Sequence, residues 1–172
     1  MRVSMIARRT LLWVAGAACA ISGLVSCSPE PCSSCATIGG AYTETSIAST
    51  MDCGDGSYLY LGVNSSSDSA EAISLQQSNS SLSLNGTYGV MPGVLHTDLS
   101  ASFGPVSATA LPVTGDLTPD PSGTPTPGQM YLNGWFVVDP GGSVSFQGTY
   151  SFVATSDGCE VDSKTTWTSG GD

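Results

Sequence analysis

The reactive chemistry of this chain is concentrated in six cysteines, with a single histidine and scattered carboxylates beside them. Cys19 and Cys27 lie in and just after an uncharged N-terminal run, whereas Cys32, Cys35, Cys53 and Cys159 belong to the polar body. An even number of thiols in an exported chain reads as two disulfides. Cys32-Ser33-Ser34-Cys35 has the spacing of a thiol–disulfide exchange centre. That chemistry wants a thiolate at a helix N-terminus following a strand, and neither element flanks these residues. Zinc would draw on all four thiolates together. Structural disulfides are the expectation, with zinc and redox exchange as alternatives. A bridge to Cys159 spanning over 100 residues contributes about 4–5 kcal/mol in the chain-entropy picture.

Alternation puts His96, the only histidine, on the polar face of its strand, and one histidine is thin material for a triad or a His-rich metal site. The sequence contains no Gly-x-Ser-x-Gly elbow and no phosphate-cradling glycine loop. Asp52-x-x-Asp55-Gly56 sets two carboxylates in a turn but falls short of the spaced ligands of a calcium loop. Asn85-Gly86-Thr87 matches a glycosylation sequon. The expectation is a non-enzymatic protein with no cofactor, resident metal or catalytic residue. Hydrolysis by two acids that meet in space is the alternative.

Arg2, Arg8 and Arg9 flank Leu11–Val25, a run of 15 uncharged residues. This is shorter than a membrane span and suits a signal h-region. It ends in Leu24-Val25-Ser26-Cys27, which resembles the lipobox of bacterial lipoprotein precursors. The resemblance implies removal of residues 1–26, acylation of Cys27 and anchoring in the cell envelope, leaving 146 of the 172 residues. Lipoproteins of this class carry two or three acyl chains. Each buried methylene contributes about 0.8 kcal/mol, so such an anchor is lasting. Ser28 stands where an Asp signals inner-membrane retention, which favours the outer membrane in an organism that has one. Cleavage after Ala18 or Ala20 would instead release a soluble form. Cys19, with Gly16 three positions before it, is a weaker lipid acceptor, and Arg8-Arg9 also loosely resembles a twin-arginine export signal.

Beyond residue 26 only Lys164 opposes 14 acidic residues, a formal charge of −13. Such a surface repels nucleic acid and gains nothing from anionic lipid, so an acyl group must supply the membrane attachment. From Cys27 to Cys35 the chain reaches at most about 28 Å, which keeps the domain near the bilayer. Residues 27–35 read as the tether and 36–172 as one domain.

That domain shows no helical period. Short alternating runs recur instead, punctuated by Gly, Asn, Asp and Pro. Strands are predicted over 38–48, 57–63, 71–77, 82–88, 95–103, 106–113, 130–138, 143–154 and 159–167, with turns at Ser78–Ser81, Gly104-Pro105 and Asp139–Gly142. The fold class is all-β: an eight- or nine-stranded antiparallel meander forming a barrel or sandwich. Eight strands bring Cys159 beside Cys53 and nine bring it beside Cys35. Cys53–Cys159 with a local Cys32–Cys35 bridge is preferred. Five prolines within the Pro/Thr-rich loop 112–128 predict a stiffened connector unable to enter a central strand. Ile38-x-Gly-x-Tyr42 weakly resembles the opening strand of lipocalin-like barrels, which implies carriage of a small apolar ligand if the barrel is hollow. A filled interior points to recognition of an envelope protein or a glycan, or to a structural role.

Overall fold

Period-two alternation becomes a succession of strands with one buried face. The computed structural model describes residues 29–46, 49–53, 58–61, 70–86, 88–114, 119–156 and 158–169. Among them lie ten strands: β1 (Gly40–Ser46), β2 (Ser49–Asp52), β3 (Tyr58–Leu61), β4 (Glu71–Ser78), β5 (Ser81–Gly86), β6 (Gly89–Leu95), β7 (Ser100–Pro112), β8 (Thr126–Val138), β9 (Val144–Ala154) and β10 (Glu160–Ser169). The described residues contain no helix long and apolar enough to cross a membrane.

Eight strands close a barrel in the order β1-β4-β5-β6-β7-β8-β9-β10, with β10 returning to β1. β2 and β3 form an extra hairpin attached to β7 through Leu59↔Pro112 and Tyr60↔Leu111. The all-β meander expected from the sequence is therefore a barrel and not a sandwich. With eight strands in the wall, the first ends where the last begins. Cys53 and Cys159 are bridged there with Cα atoms 5.4 Å apart, and Cys32–Cys35 forms the second bridge. Both pairings match the preferred reading, and no thiolate among the four is left for zinc.

Three sequence expectations fail for local reasons. The run 95–103 is not one strand: β6 ends at Leu95 and β7 begins at Ser100. Residues 96–99 turn between them, with Leu99 at φ 64°. Asp98 Oδ1 fixes this turn by accepting Ser100 N at 3.0 Å and Ser100 Oγ at 2.6 Å. His96 thus lies in a turn rather than on a strand's polar face. Gly104-Pro105 is not a turn either, because β7 runs through it with a bulge between Phe103 and Val106. Gly104 has φ +92°, and a Cβ there would lie 2.6 Å from Met130 O, so only glycine fits. Lastly, the connector 112–128 yields to sheet at its end. Pro127 is the second residue of β8, opposite Thr109, and its carbonyl accepts Thr155 N at 3.0 Å. A proline this close to a strand start costs little pairing. The strand β6 escaped prediction because it holds Gly89, Pro92 and Gly93. Its ladder with β7 runs only from Gly93 to Leu95, so Pro92 precedes it.

Aromatic rings beside glycines fill the barrel. A Cβ on Gly134 or Gly148 would strike the Phe146 ring, one on Gly93 the Phe103 ring, and one on Gly128 the Phe152 ring. Trp167, Phe146, Phe152, Leu132, Met130 and Leu95 are all 0% exposed. Phe146 stacks on Trp167 with centroids 4.1 Å apart, and Phe103, Phe136 and Tyr42 pack around the same indole at 6.0–6.1 Å.

Residues preceding β1 dock across the turn end of the barrel. Cys32 N donates to Leu95 O and Thr97 N to Glu30 O, both at 3.1 Å, and Pro31 bridges to His96. Gln77 holds the next stretch. Its Oε1 accepts Ile38 N at 2.8 Å and Gly39 N at 3.2 Å, while Nε2 donates to Ala36 O at 2.9 Å. The part of the tether described, from residue 29, is therefore bound to the barrel.

Candidate functional site

The inward face of β1 carries Tyr42 and Glu44, and β10 opposite supplies Ser163, Thr165 and Trp167. Glu44 is the charged side chain in this interior, 1% exposed, and Trp167 lies opposite it in the β1–β10 register. A carboxylate moved there must recover its lost hydration from hydrogen-bond donors. Three converge on Oε1: Thr165 Oγ1 at 2.8 Å, Tyr150 Oη at 2.9 Å and Trp167 Nε1 at 3.0 Å. Ser46 Oγ donates in turn to Thr165 Oγ1 at 3.2 Å. Oε2 is also buried, and it accepts no hydrogen bond from the described residues. An oxygen in that state can take one more donor.

Further groups converge on the same place. Glu71 of β4 is directly across from Glu44 and so shares its face at the barrel's rim. Tyr88 meets the Tyr150 ring edge-on at 5.0 Å. Burial pushes both phenols well above the ordinary tyrosine range, and the nearby charge of Glu44 adds to the effect. Tyr42, whose hydroxyl donates to Ile38 O, is pushed up by burial to about 12. The arrangement is a hub of neutral donors around one acid, with a second acid alongside.

Sequence reasoning did not single out Glu44. The signal was present, since Ile38, Gly40, Tyr42, Glu44 and Ser46 share one parity in the first predicted strand. An acid on an inward parity reads as a contradiction until its three donors, on β9 and β10, are brought to it.

The residues that were singled out are dispersed. Cys27, and with it the proposed acylation site, lies outside the described residues, as do Asp55 and Thr87. The disulfides occupy opposite ends of the barrel: Cys32–Cys35 beside the docked N-terminal segment and Cys53–Cys159 beside the β2–β3 hairpin. His96 Nδ1 is buried with no hydrogen-bond partner among the described residues. Among those residues no group of three His, Cys, Asp or Glu could hold a metal. An open polar groove lined by Cys35, Thr37, Gly39, Gln77 and Asn79 lies against the docked segment, and Gln77 already spends its polar atoms on that segment.

Compared with protein-family models, curated proteins and solved structures, the chain matches none. The likenesses to lipoprotein precursors and to lipocalin-like barrels rest on the short motifs that carry them.

Proposed function

We propose that this protein is a lipid-anchored component of the cell envelope, acylated at Cys27, whose barrel presents a binding or structural surface and does not enclose a ligand. The observation that carries the second half is the filled interior: Trp167, Phe146, Phe152, Leu132 and Met130 occupy the space a carried molecule would need. Support for the first half comes from Leu24-Val25-Ser26-Cys27 after its charged and apolar leader. The formal charge of −13 after the leader directs the search for partners toward envelope proteins or glycans and away from nucleic acid. Ser28, in place of the Asp that signals inner-membrane retention, favours the outer membrane over the inner in a two-membrane organism.

Two measurements test this reading. Metabolic palmitate labelling should mark the wild type and not Cys27→Ala; equal labelling defeats the anchor. Native mass spectrometry of the purified domain should give the bare polypeptide mass, and a retained apolar molecule would restore the lipocalin-like carrier.

A second reading, hydrolysis through paired carboxylates, draws on the placement of Glu44 opposite Glu71. It needs substrate to reach a residue that is 1% exposed. Turnover of a glycan panel that disappears in Glu44→Gln would promote it.

A further inference from the structure

The described residues expose six large hydrophobic side chains: Met51, Val90, Val94, Trp135, Val137 and Val138. Three of them fall within four consecutive residues at the end of β8, with Phe136 between them turned into the core. Trp135 is 52% exposed, Val137 46% and Val138 39%, and exposed Pro140 follows in the next turn. Trp167, by contrast, is wholly buried, so the exposure of Trp135 is not a general habit of tryptophan in this fold.

This apolar lip is at the end of the barrel where the N-terminal segment enters. Trp135 is opposite Ser100, Ser100 O accepts His96 N at 2.9 Å, and His96 bridges to Pro31. Three strand spacings, about 15 Å, thus separate the tryptophan backbone from the entering chain. From Glu30, whose carbonyl is bonded to Thr97 N, back to Cys27 is three residue steps, a reach of at most about 11 Å. The backbone pairing at residues 30–32 and the contacts of Gln77 keep the chain from swinging to another face.

Resting on the reading of Cys27 as the acylated residue, we propose that the turn end of the barrel rests on the bilayer, with Trp135, Val137 and Val138 against zwitterionic phospholipid. Tryptophan favours the headgroup level, where its ring is sheltered and its N–H stays hydrated. The exposed acids of the same end, Glu30, Asp98 and Asp139, select uncharged over anionic lipid. The hydroxyl and the backbone N–H of Ser100 hold the Asp98 carboxyl below the usual carboxylate range, which keeps it charged near the membrane. The patch is small, and the tether makes it effective by raising the local concentration of bilayer around it.

The test uses mature acylated protein in phosphatidylcholine vesicles with brominated acyl chains, read by tryptophan fluorescence. Once the leader carrying Trp13 is removed, Trp135 and Trp167 are the only fluorescent indoles. Brominated lipid should quench the emission at least 1.5-fold, and the quenching should vanish in Trp135→Phe and weaken in Val137→Lys. Replacing a third of the lipid with phosphatidylglycerol should reduce it. Mass spectrometry of the same sample separates the two layers of the argument. An unacylated Cys27 defeats the anchor itself, whereas an acylated protein with unquenched Trp135 overturns the docking alone. Quenching that strengthens with anionic lipid, or a Trp135 protected from acrylamide in a lipid-free dimer, also overturns it.

Discussion

Two halves of one barrel interior solve the same problem by different chemistry. Toward the β8–β9 turn, Phe103, Phe136, Phe146 and Trp167 form an aromatic stack with no polar obligation except one indole N–H. Toward the β2–β3 hairpin, Glu44, Tyr150, Thr165 and Tyr88 replace that stack with a hydrogen-bonded cluster. Trp167 belongs to both, stacking on one side and donating to Glu44 on the other. Apolar filling tolerates any neighbour of the right volume, whereas the polar half demands named partners at fixed distances. The lesson is that packing fills this barrel while the Glu44 hub sets the alignment of β1, β9 and β10.

The largest effect should come from cutting the joint between the halves. Trp167→Ala removes the centre of the stack and a donor to Glu44, and should cost about 4–5 kcal/mol by urea denaturation. A loss under about 2 kcal/mol would mean the halves are not coupled through this ring. Glu44→Ala comes next. It strands the hydroxyls of Tyr150 and Thr165 and the indole N–H, at about 3 kcal/mol in all. Glu44→Gln keeps an acceptor for those donors and should stay within about 1 kcal/mol of wild type. If Gln proves as damaging as Ala, the charge and not the hydrogen bonding holds the hub. In the aromatic half, Gly148→Ala presses a methyl against Phe146 and should cost about 2 kcal/mol.

The smallest effect is alkaline. Tyr42, Tyr88 and Tyr150 have folded pKa values above the usual tyrosine value near 10, so the unfolded chain loses these protons first. Stability should be complete below pH 10 and fall as pH rises from 10 toward 12. Absorbance at 295 nm should show these three phenols, half of the six tyrosines, ionising only as the fold is lost. Normal titration of all six with the fold intact would refute their burial.

Much of the wall was legible because alternation and turn chemistry agree. Ile73 and Leu75 face Leu82 and Leu84 across the turn at Asn79, where φ is 53°. Phe146, Tyr150 and Phe152 share a face after a turn in which Asp139 Oδ1 accepts Ser143 N at 2.9 Å. The 96–99 turn was illegible because Leu95, Ala101 and Phe103 keep one parity straight through it, so periodicity carries no mark of the reversal. The β7 bulge was misread for the opposite reason, a Gly-Pro pair that signals a turn and here serves a kink. The hub was hidden since its partners come from strands more than 100 residues apart.

Ring closure through β7 and β8 gives each of the eight wall strands a neighbour on both sides for part of its length, whereas among the described residues the four-residue β2 has a ladder partner, β3, on one side only. A foreign chain that extended this sheet, whether in aggregation or in assembly, would find at β2 a strand with one whole side open. Cys53, the residue that follows β2, is stitched to Cys159, so that open seam is held in place where the chain would otherwise fray.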